Sequence, residues 1–281
     1  MPPTEQGCLY IVATPIGNLD DITLRARDVL AQVNAIAAED TRHTRRLLEH
    51  LGITVSLFAL HEHNEAQQAE KVVARLRAGE SIALVSDAGT PLISDPGYPL
   101  VRQARRAGIR VIPVPGASSL LAALSCSGLP TDRFVFEGFL PAKGGARRKR
   151  LQEMAGETRT MIFFEAPHRV SDCLQDMRTE LGDDREAVLA RELTKTFETF
   201  LAGSLADLAA QVTADANQQR GEIVLLLAGA RPGGEMDAAA AELFFTLLEE
   251  LPLKQASGLA AKLTGVSKKV FYQAGLDKAG K

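Results

Sequence analysis

Several features that define other classes of protein are scarce in this chain of 281 residues. Its three cysteines, Cys8, Cys126 and Cys173, are far apart and lack a CxxC spacing, so they predict neither a disulfide framework nor a metal clip. No uninterrupted apolar run approaches the roughly 18 residues that a membrane span needs. The N-terminus lacks a basic segment followed by an apolar one, which argues against an export signal. We therefore expect a reduced, soluble, cytoplasmic protein with no membrane association and no structural metal.

Charge of one sign is not in excess either. The chain has 32 basic and 35 acidic residues, which gives a net charge of −3. Binding to a polyanion must therefore depend on local basic patches. A hydrophobic content of 46% and a charged content of 24% are typical of a globular protein. At about 150 residues per domain, the length predicts about two domains.

Apolar runs of strand length alternate with amphipathic helical stretches in the first half of the chain. This strict alternation requires crossover connections, so it predicts a mostly parallel sheet that is covered on both faces. The predicted strands are residues 9–14, 35–38, 55–60, 82–86 and 110–114. The predicted helices are residues 23–33, 41–51, 64–78 and 98–107.

The pattern changes near Gly128-Leu129-Pro130, after which two strand-like runs follow each other directly between residues 187 and 203. Consecutive strands without an intervening helix predict a mixed sheet in this half. The predicted strands are residues 134–139, 160–165, 187–191, 197–203 and 223–228. The predicted helices are residues 146–154, 169–181 and 204–212.

We therefore predict the α/β class, with two α/β domains at residues 1–125 and 126–230 and a cofactor cleft between them, because small-molecule sites favour domain junctions. Residues 231–234, Arg-Pro-Gly-Gly, have the composition of a linker to a helical appendix at residues 231–281. A helix at residues 236–251 precedes a basic, helix-turn-helix-like pair of helices at residues 253–274. This pair either packs on the body or on a second subunit, or contacts nucleic acid.

Three shaped loops follow predicted strands, where open α/β sheets bind ligands. The longest, residues 86–97, has two glycines and two prolines and is twelve residues long, against about 2–6 for an ordinary strand-to-helix loop. The other two are residues 14–21 and 114–119. None of them contains GxGxxG or GxxxxGK[ST]. Strand-end loops that contain glycine and proline but lack a phosphate-binding motif predict a nucleoside ligand without a pyrophosphate.

Two further strand ends combine acids and bases. One contains Asp40 and Arg42, and the other contains Glu165, His168 and Arg169. Acidic residues at a helix start can simply complement the helix dipole. The alternative, which we favour, is a polar rim beside the cleft.

A third charged cluster has five positive charges within eight residues and no acidic residue before Glu153. A solvated helix face is the usual explanation of such a run, but in an acidic protein the asymmetry indicates binding to a phosphate backbone. The cluster consists of Lys143, Arg147, Arg148, Lys149 and Arg150.

Together these segments resemble the tetrapyrrole-methylase superfamily of S-adenosylmethionine-dependent enzymes, and more closely its branch that modifies ribosomal RNA. The most specific part is the Ser-Asp-Ala-Gly-Thr-Pro sequence of the long loop. One departure is Thr90, which stands where the wider superfamily has the aspartate of Gly-Asp-Pro. The helix pair after residue 253 also resembles the helix-turn-helix appendix of that branch. The matching stretches are residues 12–19, 38–42, 85–97, 113–119, 163–169 and 221–229.

The resemblance implies a homodimer that binds S-adenosyl-L-methionine in the cleft and methylates the ribose 2'-oxygen of a decoding-centre cytidine in 16S ribosomal RNA of the small ribosomal subunit. It also implies that the last strand, beginning at Gly221, completes an adenine pocket. By motif position, the implied cofactor-binding residues are Pro15, Gly89, Thr90, Pro91, Ile93, Gly116, Ala117, Ser118, Ser119 and Phe164.

Methyl transfer to a hydroxyl requires alignment of donor and acceptor and a group that takes the proton. A sulfonium is already an activated donor, so no metal is required. From their positions at strand ends, we nominate Asp40, Glu165 and His168 as candidate bases. Arg42, Arg169 and the basic cluster at residues 143–150 are predicted to hold RNA phosphates.

Two other functions are compatible with parts of this pattern. A methyltransferase of corrin or tetrapyrrole precursors would use the same cofactor loops, but it gives no reason for the basic cluster or the appendix. A non-catalytic RNA-binding factor for ribosome assembly would keep the basic surface without needing intact loops. Because the loops at residues 86–97 and 113–119 are intact, the sequence favours an enzyme.

Overall fold

The structure is a computed structural model that describes residues 7–61, 64–230, 236 and 238–279. The predicted linker at residues 231–234 lies outside the described residues. No helix in the described ranges is long and apolar enough to cross a bilayer.

The first five strands form one parallel sheet, as the alternation predicted. Their order is β3-β2-β4-β1-β5, and every neighbouring pair is parallel. The strands are β1 Cys8–Val12, β2 Ala35–Ala38, β3 Ser56–Ala59, β4 Ile82–Val85 and β5 Arg110–Val114. The helices that alternate with them are α1 Leu24–Gln32, α2 Thr41–Leu51, α3 Glu65–Arg77 and α4 Tyr98–Arg106.

Alternate side chains of this sheet enter two separate cores. In β2, Ala37 packs towards α3 and α4, whereas Ile36 and Ala38 pack towards α1 and α2. Because both faces of the sheet are buried, its strands are continuous apolar runs. Strand β1 ends two residues before the prediction because Thr14 leaves the ladder and forms an isolated bridge with Gly89.

The next five strands form a second, mixed sheet, which confirms the prediction for this half. Its order is β6-β7-β10-β8-β9, in which β6 and β7 are parallel and the other pairs are antiparallel. Helices α6 Gly144–Glu153, α7 Val170–Leu181 and α8 Leu205–Ala214 cover one face. The strands are β6 Phe134–Phe139, β7 Thr160–Glu165, β8 Glu186–Arg191, β9 Thr199–Ser204 and β10 Ile223–Leu227.

The other face of the second sheet is covered from the first half of the chain. Helix α5, Ser119–Cys126, places Ala123 and Leu124 in one core with β7, β8 and β10, and Ile16 joins the same core. The helix that follows the last strand of the first sheet therefore packs on the second sheet. The predicted domain boundary between residues 125 and 126 stays a prediction.

The last three helices share a small core of their own. They are α9 Ala238–Glu250, α10 Leu253–Thr264 and α11 Lys268–Ala279. Phe244 of α9 and Phe271 of α11 are fully buried, with ring centroids 5.1 Å apart. Helix α10 ends at Gly265, whose φ of +77° reverses the chain into α11. The predicted helix pair is confirmed, and its second helix continues to residue 279.

Replacing Phe163 tests the core of the second sheet. Phe163 lies in the middle of β7 and is fully buried. We expect Phe163→Ala to lower the free energy of unfolding by about 3–5 kcal/mol, because truncation leaves a cavity. Phe197→Ala is the control, since Phe197 is 70% exposed, and should change stability by less than about 0.5 kcal/mol. Equal losses in urea titrations of the two variants would contradict the burial of Phe163.

Candidate active site

Three strand-end loops meet at one edge of the first sheet because β1 lies between β4 and β5. The backbone N–H of Thr14 donates to the carbonyl of Gly89 at 2.9 Å, and the N–H of Gly89 donates back at 3.0 Å. The hydroxyl of Thr90 donates to the carbonyl of Ala117 at 3.1 Å. Thr90, which stands where the wider superfamily has an aspartate, thus has a structural role, because it joins the loop at residues 86–97 to the loop at residues 114–119.

The long loop holds several residues in the left-handed backbone region. Gly89 has a φ of +81°, and a Cβ there would lie 3.3 Å from Cγ2 of Ile16. Leu92 and Ser94 also have positive φ values, 72° and 68°. Such conformations are uncommon for residues other than glycine, and they concentrate at functional sites.

A cavity of about 330 Å³ lies between the two sheets, next to these loops. Its volume is within the range of small-molecule sites, roughly 300–1,000 Å³. Phe164 forms edge-on ring contacts with Phe136 and Phe139, at centroid distances of 4.8 and 5.7 Å. The first half of the chain contributes Ile16, Ala88 and Ser119 to the wall. The second half contributes Phe139, Phe164, Glu165, Ala166, Pro167, Leu193, Gly221, Glu222, Ile223 and Val224.

The ten predicted cofactor residues are distributed unevenly around this cavity. Ser119 and Phe164 line it, as does Gly221. Gly89, Thr90 and Ala117 form the hydrogen-bonded framework beside it. The remaining five are not in its wall, and the cofactor roles of all ten stay predictions. These five are Pro15, Pro91, Ile93, Gly116 and Ser118.

Sequence reasoning missed several wall residues. Leu193 follows a strand of the antiparallel part of the second sheet, where the rule for parallel strand ends gives no signal. Phe139 ends β6 and is 54% exposed, and an aromatic residue at a strand end was the available signal. Glu222 lies just before β10, within the stretch 221–229 that the resemblance marks, but no sequence pattern singles out its side chain.

The Glu165 carboxylate lies in the cavity wall, but it is held by neighbouring groups. Its side chain is 1% exposed, and Oε1 accepts from the N–H of Ala166 at 2.7 Å and from Nε of Arg169 at 2.8 Å. Glu165 thus lies at the cavity, as expected for a polar rim, but its carboxylate is paired with Arg169, whose side chain is 19% exposed. The predicted roles of Glu165 as a base and of Arg169 as a phosphate contact stay predictions.

Asp40 is also engaged by an arginine. Its Oδ1 accepts from the N–H of Arg42 at 2.8 Å and caps α2, and Oδ2 accepts from the Arg42 guanidinium at 2.7 Å. These hydrogen bonds hold the pKa of the Asp40 carboxyl well below its usual range. A carboxylate with so low a pKa is a weak base at neutral pH. His168, the third nominee, is exposed and follows Pro167 of the cavity wall.

The basic cluster is partly neutralised by acids from distant parts of the chain. Arg147 is only 6% exposed, so the prediction of a solvent-facing cluster is wrong for this residue. Its Nε donates to Asp176 of α7 at 2.6 Å, and Arg148 donates to the same carboxylate at 3.1 Å. Arg150 pairs with Glu137 of β6 at 2.5 Å. These acids are remote in sequence, which is why the local charge pattern did not reveal them.

The two lysines of the cluster differ from the arginines. Lys143 and Lys149 are exposed, and no ion pair involves either of them within the described part of the chain. Among the residues that the structure describes, their charges are therefore unpaired, whereas those of Arg148 and Arg150 are partly exposed but paired with acids.

Comparison with protein families identifies the class. The sequence profile of the tetrapyrrole (corrin/porphyrin) methylases matches residues 8–209, which is more than half of the chain. A second profile, the RsmI C-terminal HTH domain, matches residues 234–279. The chain belongs to the tetrapyrrole (corrin/porphyrin) methylase family.

Curated relatives cover almost the whole chain. It is 58% identical over 278 residues to Ribosomal RNA small subunit methyltransferase I of Pseudomonas aeruginosa, which covers 98% of this chain and 99% of the relative. It is 54% identical over 277 residues to the protein of that name from Escherichia coli O157:H7, with 98% and 97% coverage.

Solved structures share the fold. Diphthine synthase matches with a TM-score of 0.60 at 16% identity, covering 79% of this chain and 90% of that one. The methyltransferase CobJ matches with a TM-score of 0.59 at 21% identity and 80% and 95% coverage. Uroporphyrin-III C-methyl transferase from Thermus thermophilus, complexed with S-adenosyl homocysteine, matches with a TM-score of 0.55 at 20% identity and 79% and 97% coverage. At these identities the likeness concerns the fold alone.

Removing Asp176 tests whether the Arg147 pair is structural. The two side chains are 7% and 13% exposed. Asp176→Ala should therefore lower the free energy of unfolding by about 3–5 kcal/mol, because it leaves a buried charge without its partner. Asp184→Ala, at an exposed carboxylate, is the control. The double variant Arg147→Met/Asp176→Leu should recover much of the loss in the same denaturation assay. Equal stability of the two single variants would overturn this reading of Arg147.

Proposed function

We propose that this protein transfers a methyl group from S-adenosylmethionine to the ribose 2'-oxygen of a decoding-centre cytidine in 16S ribosomal RNA. The observation that carries the proposal is the similarity, over 98% of the chain at 58% identity, to a relative named for methylation of small-subunit ribosomal RNA. The likeness to corrin and porphyrin enzymes concerns the fold, so it favours no macrocyclic substrate.

The cavity between the sheets suits S-adenosylmethionine. Phe164, Leu193 and Val224 offer apolar surface for an adenine ring. Glu222, whose side chain is 70% exposed, offers a carboxylate for ribose hydroxyls. When bound, the cofactor supplies a methyl group on a sulfonium sulfur. The predicted contacts from the three strand-end loops, including Gly89, remain part of this proposal.

The work left to the protein is positioning and proton removal. Hydrogen bonds between the three strand-end loops fix their backbones relative to one another beside the cavity. A fixed backbone favours a defined orientation of donor and acceptor. Of the three nominated bases, Asp40 and Glu165 are each paired with an arginine. His168 stays a candidate on the strength of its exposed position.

The RNA is proposed to contact cations with exposed charged groups. The side chains of Arg42, Arg148 and Arg150 are 87%, 47% and 44% exposed. These three arginines and the two lysines, Lys143 and Lys149, are the RNA contacts that we propose. Arg147 and Arg169 are left out of the contacts predicted from the sequence because they pair with Asp176 and Glu165. The appendix adds exposed lysines, namely Lys254, Lys262, Lys268, Lys269 and Lys278.

A homodimer and a cytoplasmic location complete the proposal. Large apolar side chains such as Leu24 and Leu121 are 79% and 54% exposed. Apolar surface of this kind is compatible with a subunit interface. Sedimentation of the purified chain at several concentrations tests the homodimer. A location in the cytoplasm is expected from the proposed substrate, 16S ribosomal RNA either as naked RNA or within a small ribosomal subunit.

Gly89→Ala tests the cofactor cavity. We expect it to weaken binding of S-adenosylmethionine by at least about 10-fold in calorimetry, because the new methyl group crowds Ile16 and strains the Thr14 bridge. Gly108→Ala is a matched control, since Gly108 also has a positive φ but open space around it. Equal affinities of both variants would contradict a cofactor site here.

A donor assay separates an enzyme from a non-catalytic RNA-binding factor. The proposal expects the protein to bind S-adenosylmethionine and to transfer labelled methyl groups to small ribosomal subunits. RNA binding without donor binding would instead identify an assembly factor, and the proposed activity would fail.

Lys143→Ala/Lys149→Ala tests the RNA surface. We expect weaker RNA binding and a salt dependence reduced by roughly 0.7–0.9 in slope for each lysine, because fewer counterions are released. Affinity for S-adenosylmethionine should not change. The control is Lys71→Ala, at an exposed lysine of α3. An unaltered salt slope would show that the two lysines belong to a solvated helix face.

A further inference from the structure

A second cavity, of about 450 Å³, opens at the edge of the first sheet. It lies between the ends of β2 and β4 and the starts of α3 and α4. Its lining differs from that of the first cavity because six of its seven lining residues have a polar side chain. The polar side chains of its lining are those of Glu39, His61, Glu65, Ser94, Asp95 and Tyr98.

The long loop contributes to the lining of both cavities. Ala88 of this loop lines the first cavity, and Ser94 lines the second. Ser94 also contacts the second sheet, since a Cβ on Gly138 would lie 3.4 Å from its Oγ. The next residue, Phe139, lines the first cavity. Through Ser94, Gly138 and Phe139, the second cavity is thus linked to the wall of the first.

Asp95 is the carboxylate in this cavity that differs most from an ordinary surface acid. It is half-buried, and no lysine or arginine within the described residues forms an ion pair with it. Burial raises its pKa to about 6, with smaller contributions from the charges of Glu39 and Asp87 and an opposing hydrogen bond from Ser86. Such a group is largely ionised at neutral pH, yet basic enough to accept a proton.

The other carboxylates of the cavity have different surroundings. Oε2 of Glu65 accepts from the N–H of Gly97 at 2.7 Å and thereby holds the loop. Glu39 accepts only a long contact, 3.5 Å, from the N–H of Asp87. Burial and the charge of Asp87 raise its pKa as well. His61 is the remaining titratable group of the cavity besides Tyr98.

The rim and the lining suit a nucleoside. Tyr98, at the start of α4, is 63% exposed, and an exposed ring is a surface on which an unstacked base can lie. Carboxylates are the groups that accept from the exocyclic amine of cytosine. The cavity therefore offers both stacking and hydrogen-bond acceptors to the uncharged part of a nucleotide.

We propose that this second cavity receives the acceptor nucleoside and that Asp95 takes the proton from its 2'-hydroxyl. This inference rests on the proposed methyl transfer. The 2'-oxygen forms a bond to the methyl carbon while the carbon–sulfur bond breaks and leaves its electron pair on sulfur. The hydroxyl proton passes to the Asp95 carboxylate and from there to solvent.

Asp95→Asn tests the base. We expect the single-turnover rate of methyl transfer to fall by about 100- to 10,000-fold. Calorimetric affinity for S-adenosylmethionine and affinity for RNA should stay within about 3-fold of the wild type. Asp28→Asn, at an exposed aspartate of α1, is the control and should retain the wild-type rate.

The pH profile distinguishes a base from a structural residue. In the wild type the rate should rise with pH through about 6 and then level off, because the ionised carboxylate is the active form. Glu39→Gln removes a neighbouring negative charge, so the pKa of Asp95 should fall and the midpoint should move to lower pH. Asp95→Asn should lose this acidic limb altogether.

Tyr98 tests the nucleoside pocket. Tyr98→Ala should weaken RNA binding by roughly 10-fold, because a stacking surface is lost. Tyr98→Phe keeps the ring and should bind RNA within about 2-fold of the wild type. Both variants should bind S-adenosylmethionine normally. Equal RNA affinities of Tyr98→Ala and the wild type would overturn the pocket.

The failure of this inference is distinguishable from that of the proposed function. If the wild type transfers no methyl group to small subunits, the proposed function fails. If the wild type is active and Asp95→Asn keeps its rate and its acidic limb, Asp95 is not the base. Loss of that limb in His168→Gln, with Asp95→Asn unaffected, would assign the role to His168 instead.

Discussion

The docking of α5 and Ile16 against the second sheet is the contact on which the rest of this structure depends. It buries apolar side chains from both halves of the chain in one core, with Ala123 and Leu124 facing Val224 and its neighbours. The cavity between the sheets lies beside this core and includes Ile16 in its wall. Burial of apolar surface is non-directional. Directional hydrogen bonds of Thr14 with Gly89 and of Thr90 with Ala117 join the loops of the first sheet beside this core, with Ala117 two residues before α5.

Arginines decide which carboxylates remain reactive. Arg42 holds Asp40, Arg169 holds Glu165, and Arg147 with Arg148 holds Asp176. The hydrogen bonds from Arg42 hold the pKa of the Asp40 carboxyl well below its usual range, which makes it a weak base. Asp95 forms no ion pair with a lysine or arginine in the described part of the chain, and burial beside Glu39 and Asp87 moves its pKa in the opposite direction, to about 6. The pairs at Asp40 and Glu165 are local in sequence. The neighbours of Asp176 and Asp95 come from distant parts of the chain.

Much of the fold follows from local patterns. The alternation of apolar runs and amphipathic stretches predicted both sheets, and the strands Ala35–Ala38, Arg110–Val114 and Thr160–Glu165 have the predicted bounds. The prediction that the long loop is functional rests on its glycines, its prolines and its length, and the residues that it hydrogen-bonds could not be derived from them. The basic cluster could not be judged in this way, because Asp176 and Glu137 reach it from α7 and β6. Phe139 and Leu193 line the cavity, but no sequence motif contains them.

The amino-acid sequence by itself determined the periodicity, the order of strands and helices along the chain, and the loops that can bend tightly. These properties depend on residues within a few positions of one another. The tertiary structure alone decided which charges are buried, which arginine pairs with which acid, and that Asp95 lies half-buried beside Glu39 and Asp87. Electrostatic environment depends on distance in space and on exclusion of water, and neither is a function of separation along the chain.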